Sequence, residues 1–458
     1  MRDVGKVIHD NDDIVRVFAG DTLVYSAATD YTTFTVGMNN NYSGFLNVLN
    51  IPNHEAVSEF YINDVAQQLP TGTTEDGAVK CIVKNGDKIK IRGHFSLKRS
   101  DIREIRDFSS TYNLVSCHDM FLDCGRLPFI DLSKFDSSNI TDMNSMFHAC
   151  RSLTTIDVSH FNTSNVTDMN DMFYNCNQLE SLDVSNFDTS KVTDMTHMFH
   201  GCIKLKNLDV SNFDTSKVTD MSYMFTDCME LESLDVSNFN TARLAGFMNM
   251  FSNCKKLTNI DLSNFNLSNY SSSTLSCASV FEDCEALVTV NLSGWDQYIY
   301  KGKFKNGNLY RMFKNCKSLT NIIGIANWKF TNVSMLSTFE NCESLVALDL
   351  SGFEAETIST AEYTFGGCIN LSNVQWLTVT DPYNSKIYAQ EMFYNCANIT
   401  NIPYFVYRWY TEYIGYTFTS SRCFTGCTSL VTLGDTTYAT NAEAMATIPV
   451  TWGGTKTE

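Results

Sequence analysis

The chain has 458 residues, 43% hydrophobic and 12% aromatic, a balance that excludes general disorder. Its 33 Lys and Arg against 51 Asp and Glu give a net charge of −18, which argues against a broad phosphate-binding surface and so against nucleic acid as a partner. No apolar run approaches the roughly 18–20 residues needed to cross a bilayer, so membrane insertion is not expected.

The opening stretch "MRDVGKVIHDNDDIVRVFAG" lacks the apolar core and small-residue cleavage site of a secretory signal. The expectation is either a processed chain or one that folds in the cytosol. Within it, "DIVRVFAGDTLVYSA" alternates apolar and polar residues around Gly20-Asp21, a hairpin signal. Residues 1–28 therefore read as a β-hairpin docking arm. Residues 29–98 read as a small β domain, with strands at "DYTTFTV" and "AVSEFYI" and a second hairpin, "VKCIVKNGDKIKIRGHF", turning at Asn85-Gly86.

From residue 99 the chain repeats itself. Phe-x-x-Cys recurs twelve times, ending at Cys124, Cys150, Cys176, Cys202, Cys228, Cys254, Cys284, Cys316, Cys342, Cys368, Cys396 and Cys427. The first six cysteines lie 26 residues apart, and the later intervals are 30, 32, 26, 26, 28 and 31. Within one unit, "LESLDVSNF" (231–239) alternates as a short half-buried strand, and "DTSK" or "NTAR" supplies turn residues. Val218, Met221, Met224, Phe225 and Cys228 then fall at helical spacing, with Ser216 or Thr219 as alternative caps.

Such a strand-turn-helix unit cannot bury its own apolar face, so units must stack. The expected fold class is a leucine-rich-repeat-like solenoid of about 12 coils over residues 99–427, preceded by the small all-β region. Insertions fall after 254, 284, 368 and 396, and residues 428–458 depart from the repeat and are expected to cap the last coil.

The repeat places Cys150, Cys176, Cys202, Cys228 and Cys254, with Phe147, Phe173, Phe199, Phe225 and Phe251, as core columns rather than disulfides or metal ligands. "CHDMFLDC", with Cys117, His118 and Cys124, is the nearest approach to a metal pattern and reads as an irregular first coil. Asp157, Asp183, Asp209, Asp235 and Asp261 recur at outward strand positions, each followed two residues later by Ser. Three readings stay open for them: solvation with local backbone hydrogen bonds, a ligand-reading face, or calcium.

The eight histidines, among them His160, His197 and His200, occupy different repeat positions and form no nucleophile–base pattern. No phosphate loop appears, so neither a catalytic site, a metal nor a cofactor is expected. Two insertions are rich in aromatics: Trp295, Tyr298, Tyr300, Phe304 and Tyr310 in one; Tyr407, Trp409, Tyr410 and Tyr413, with further tyrosines and phenylalanines, in the other. They read either as binding hot spots, led by Trp409 and Tyr413, or as enlarged local core.

Units of the form "LESLDVSNF" followed by "DTSKVTDMSYMF" resemble the leucine-rich repeats of BspA-like bacterial surface antigens, over roughly residues 114–430 and most closely over 127–262. That resemblance implies adhesion to proteins and cells. The opening "IVRVFAGDTLVYS" is similar to short β-modules at the N-termini of phage tail and virion-associated proteins. Together they imply a non-enzymatic virion adhesin, tail- or capsid-associated and assembled in the host cytoplasm. Its N-terminal region would hold other virion proteins, and its solenoid a host-surface protein or glycan, with homo-oligomerisation adding avidity. The alternatives are a BspA-like adhesin of the bacterial cell surface, and a decoration protein that binds only other virion proteins.

Overall fold

The structure is a computed structural model, and it describes residues 6–9, 14–19, 22–28, 32–37, 47–51, 57–63, 65–66, 79–83, 88–93, 97, 104–110, 114–268, 274–299, 304–375, 377–380, 388–402 and 421–455. The chain divides into two compact units, Met1–Lys191 and Val192–Glu458.

In the first unit, ten described strands precede the first Phe-x-x-Cys motif: β1 (Lys6–His9), β2 (Ile14–Ala19), β3 (Thr22–Ala28), β4 (Thr32–Gly37), β5 (Asn47–Ile51), β6 (Val57–Ile62), β7 (Val65–Ala66), β8 (Val79–Val83), β9 (Lys88–Gly93) and β10 (Glu104–Ser110). β1, β2 and β3 form an antiparallel sheet in which Ala19 faces Thr22 across residues 20–21. The second expected hairpin is not formed. β9 lies between β4 and β6 in a five-stranded sheet, which occupies both its edges, and β8 pairs instead with β5.

β10 is one edge strand of that five-stranded sheet and also bridges in parallel to the first coil through Ile105 and Ile130. The buried Phe108 ring lies 5.4 Å from Phe121 and 5.6 Å from Phe135. Buried Leu97 supplies the carbonyl that accepts the Cys124 thiol. The apolar end of the first coil is thus covered by residues that precede the first Phe-x-x-Cys motif, as stacked repeats require.

A coil of the second unit shows how the repeat works. Leu205, Leu208, Val210, Phe213, Val218, Met221, Met224, Phe225 and Cys228 are all buried, so the apolar residues read from sequence do face inward. Two of the expected elements differ. The "LDVS" stretch is extended but is not a ladder-forming strand in this part of the repeat. Ser211 N–H turns back to Asp209 Oδ1 at 2.9 Å, and Phe213 N–H to the Val210 carbonyl at 3.0 Å, which ends the extended run after a few residues. Regular parallel strands begin only at β11 (Asn259–Asp261).

The expected helix is replaced by three overlapping tight turns. Met224, Thr226 and Cys228 donate to the carbonyls three residues back, while Tyr223, Phe225 and Asp227 donate to Met248, Met250 and Ser252 of the next coil, each at 2.9 Å. Tyr223 and Asp227 take positive φ, 62° and 60°, where an α-helix is impossible. Alternating inward residues of tandem turns generate the same i, i+3, i+4 spacing as one face of a helix, so periodicity alone could not separate them. The left-handed residues stand one and five places before the motif cysteine in the other coils too, as Asp171 and Asn175 do in the first unit and Asn249 and Asn253 in the second.

Further along the second unit, β12 (Thr274–Ser276), β13 (Thr289–Asn291), β14 (Asn306–Asn308), β15 (Asn321–Ile323), β16 (Lys329–Ser334), β17 (Ala347–Asp349), β18 (Glu354–Thr360), β19 (Asn373–Gln375) and β20 (Thr378–Val379) join β11. They build parallel sheets in the orders β11-β13-β15, β17-β19 and β12-β14-β16-β18-β20. All their pairings are parallel and run between successive coils, the topology of a solenoid. After Cys427, a short helix, α1 (Asn441–Met445), begins with a capping box at Thr440 and Glu443. The carbonyls of Thr451 and Trp452 then accept from Arg422 and Phe424, both at 2.8 Å, where a following coil would otherwise do so.

Candidate interaction surface

Inward positions of the coils are spent on packing. Ring stacking runs from coil to coil: Phe121, Phe147 and Phe173 in the first unit lie 5.5 Å apart, and in the second Phe199, Phe225 and Phe251 lie 5.7 Å apart. The motif carbonyls shared between neighbouring coils take two donors. The Phe121 oxygen accepts Cys124 N–H at 3.1 Å and the Cys150 thiol at 3.2 Å, and Phe225 does the same with Cys228 and Cys254. This double acceptance is a physical reason for Phe and Cys to recur together. Burial pushes these thiols well above their ordinary range, and Cys284 and Cys368 up to about 12. Cys150, Cys176, Cys202, Cys228 and Cys254 are all free and buried.

The outward positions are where a partner can be met. Asp157 and Asp183 in the first unit, and Asp209, Asp235 and Asp261 in the second, are exposed. Each accepts the backbone N–H of the serine two residues on, at 2.8–3.0 Å, which makes an Asx turn. The Ser hydrogen bonds hold the Asp157, Asp209 and Asp235 carboxyls below the usual range. The same turn recurs at Asp214 and Asp220, so one Asp-x-Ser coil is bent at three places by the same device. The carboxylates therefore have a structural task, and among the described residues no group of three or more His, Cys, Asp and Glu side chains could hold a metal ion.

The first aromatic insertion is largely core. Trp295 and Phe304 are buried, the Trp295 indole donates to the Leu262 carbonyl at 2.9 Å, and its ring stacks on Trp328 at 5.9 Å. The reason is volume: the longer loop must fill the space it encloses, and indole and phenyl rings do so. Tyr298 is half-buried beside them. Tyr300, Tyr407, Trp409, Tyr410 and Tyr413 lie outside the described residues.

A shallow groove opens where the ladder is interrupted between β15 and β17, lined by Thr320, Asn321, Ile322, Ala347, Leu348, Asp349 and Gln375. Ile323 and Val346, next in sequence to the lining residues, are exposed. Here "IIGIA" (322–326) stands where earlier coils carry "LDVSN", and Gly324 takes φ 93° with a Cβ position only 2.4 Å from the Ser293 Cα. The loss of the Asp-x-Ser device and the appearance of consecutive isoleucines were legible in the sequence as a departure from the repeat. The groove they border was not.

Residues 91–182, 174–295 and 275–407 match the family described as "Mycoplasma protein of unknown function, DUF285". The chain belongs to this family. The match covers most of the repeat and supports the BspA-like reading of the coils; it does not reach residues 1–90, and nothing in it supports a virion module there. No curated protein matches the chain. A leucine-rich repeat protein from Bacteroides ovatus is similar at 16% identity over 70% of this chain and 95% of its own, with a TM-score of 0.26, too low to bear on the fold.

Proposed function

We propose that this DUF285 family member is a non-enzymatic adhesion protein of the BspA-like type, displayed at a bacterial cell surface and binding a host-surface protein or glycan. The reading rests on the family match across residues 91–407. It is supported by the division of labour within each coil, where inward residues are spent on packing and outward ones face solvent. The groove between β15 and β17 is the favoured contact, because it combines exposed aliphatic residues with Asn321, Asp349 and Gln375 as hydrogen-bonding groups.

Protease shaving of intact cells, followed by mass spectrometry, tests the location: the protein should be released with the surface fraction. Recovery in purified phage particles instead would overturn it. Replacing Ile323 and Val346 together by Asp should reduce attachment of the purified chain to host cells at least tenfold while leaving melting unchanged. Unchanged attachment would move the contact away from this groove.

A further inference from the structure

His197 and His200 stand five and two places before Cys202, on the outer side of the same turns. Their Nδ1 atoms lie 3.0 Å apart. Only one of the two nitrogens can carry a proton in such a contact, so the lone pair of the other faces it across that proton. The outer nitrogen of His200, Nε2, lies 3.3 Å from Asp227 Oδ2 in the next coil. Asp227 is itself held by Asn253, whose Nδ2 donates to Oδ1 at 2.6 Å. The His197 ring is fixed by stacking on Tyr223, 4.6 Å between centroids and 11° between planes. The His200 side chain is only 15% exposed.

We propose that His197 and His200 form a binding site for a transition-metal dication such as zinc or copper(II), with both Nδ1 atoms as ligands and water completing the coordination. Two nitrogens bound to one such ion at about 2.0–2.1 Å stand about 3.0–3.3 Å apart, the separation already present. The ion takes the place of the shared proton: His200 keeps its proton on Nε2, and His197 moves its own from Nδ1 to Nε2. A carboxylate on the far nitrogen of a ligating histidine fixes its tautomer and ring orientation, and Asp227 is placed to do this. Imidazole suits zinc and copper rather than calcium or magnesium, so the site is distinct in kind from the Asp columns.

The repeat supplies variants that should fold, because other coils carry different residues at the same places. Thr226 occupies the place of His200 in the next coil, Ser145 that of His197 in an earlier one, and Asn253 that of Asp227 in a later one. Titrating the full chain with copper(II) and recording electron paramagnetic resonance should show one site with two nitrogen ligands. Zinc titrated calorimetrically should compete for it. H197S and H200T should each weaken binding at least tenfold and abolish the two-nitrogen signature. D227N should weaken it ten- to hundredfold with the signature retained. H160Q should change nothing. Absence of a two-nitrogen copper signal in the unmodified chain would overturn the proposal, as would a signal that survives both histidine substitutions.

Discussion

At the scale of single residues, the most demanding position is the one before the motif cysteine. It holds Asp123, Asn175, Asp227, Asn253, Asp283, Asn315, Asn341 or Asn395 in left-handed conformation, or a glycine with positive φ as at Gly201, Gly367 and Gly426. Asn and Asp tolerate this region better than other residues with a Cβ. Their side chains also join along the coils: Asn315 donates to Asp283 at 2.6 Å, and Asn341 to Asn315 at 2.8 Å. Ala149, at φ 58°, has neither advantage. Ala149→Asn should stabilise the protein by about 1 kcal/mol, and Asn315→Leu should destabilise it by about 2 kcal/mol, as read from denaturant midpoints. A neutral Ala149→Asn would show that the left-handed strain is relieved elsewhere.

The motif cysteines give a second residue-scale expectation. All fifteen described cysteines are buried and free, so a thiol-alkylating reagent should leave them unmodified in the native protein and label them after unfolding. Rapid native labelling of several would contradict the inward placement of the thiols.

At the scale of elements, the Asx turn replaces the expected strand end and helix cap. Its carboxylates carry a pH signature. Folding depresses the Asp157, Asp209 and Asp235 values through hydrogen bonds from Ser159, Ser211 and Ser237. A depressed carboxyl contributes stability that is complete above its unfolded value, about 3.9, and is lost as the pH falls through the lower folded value. Denaturant midpoints should therefore decline across that acidic window. Asp209→Asn with Asp235→Asn should flatten the decline, because the amide oxygen keeps the turn without titrating. An identical pH profile in the double variant would assign the acid sensitivity to other groups.

At the scale of the whole molecule, stacked coils depend on covered ends. The Thr451 and Trp452 carbonyls that receive Arg422 and Phe424 close one such end. Removing residues 450–458 should speed amide exchange at 421–427 markedly and leave protection around 199–254 intact, since each coil is supported mainly by its neighbours. Loss of protection throughout the second unit would show instead that the unit unfolds as one body.

What the sequence by itself determined is the repeat, its core and its family. The twelvefold Phe-x-x-Cys spacing requires one structural unit per interval, and the apolar residues of each unit fall inward whatever local conformation carries them. The local conformation was only half legible. A helix and a run of tight turns share one apolar spacing, and the distinguishing signal was the Asn, Asp or Gly before every motif cysteine but Cys150, a backbone requirement and not a hydrophobic one. Tertiary structure alone decided the rest. β9 left its nearest neighbour in sequence because both its edges found partners earlier in the chain. Trp295 turned inward because an enlarged loop had to be filled. Asp227 came beside His200 because stacking sets residues about 26 places apart side by side, so the carboxylate of that site comes from the next coil and cannot be read along one.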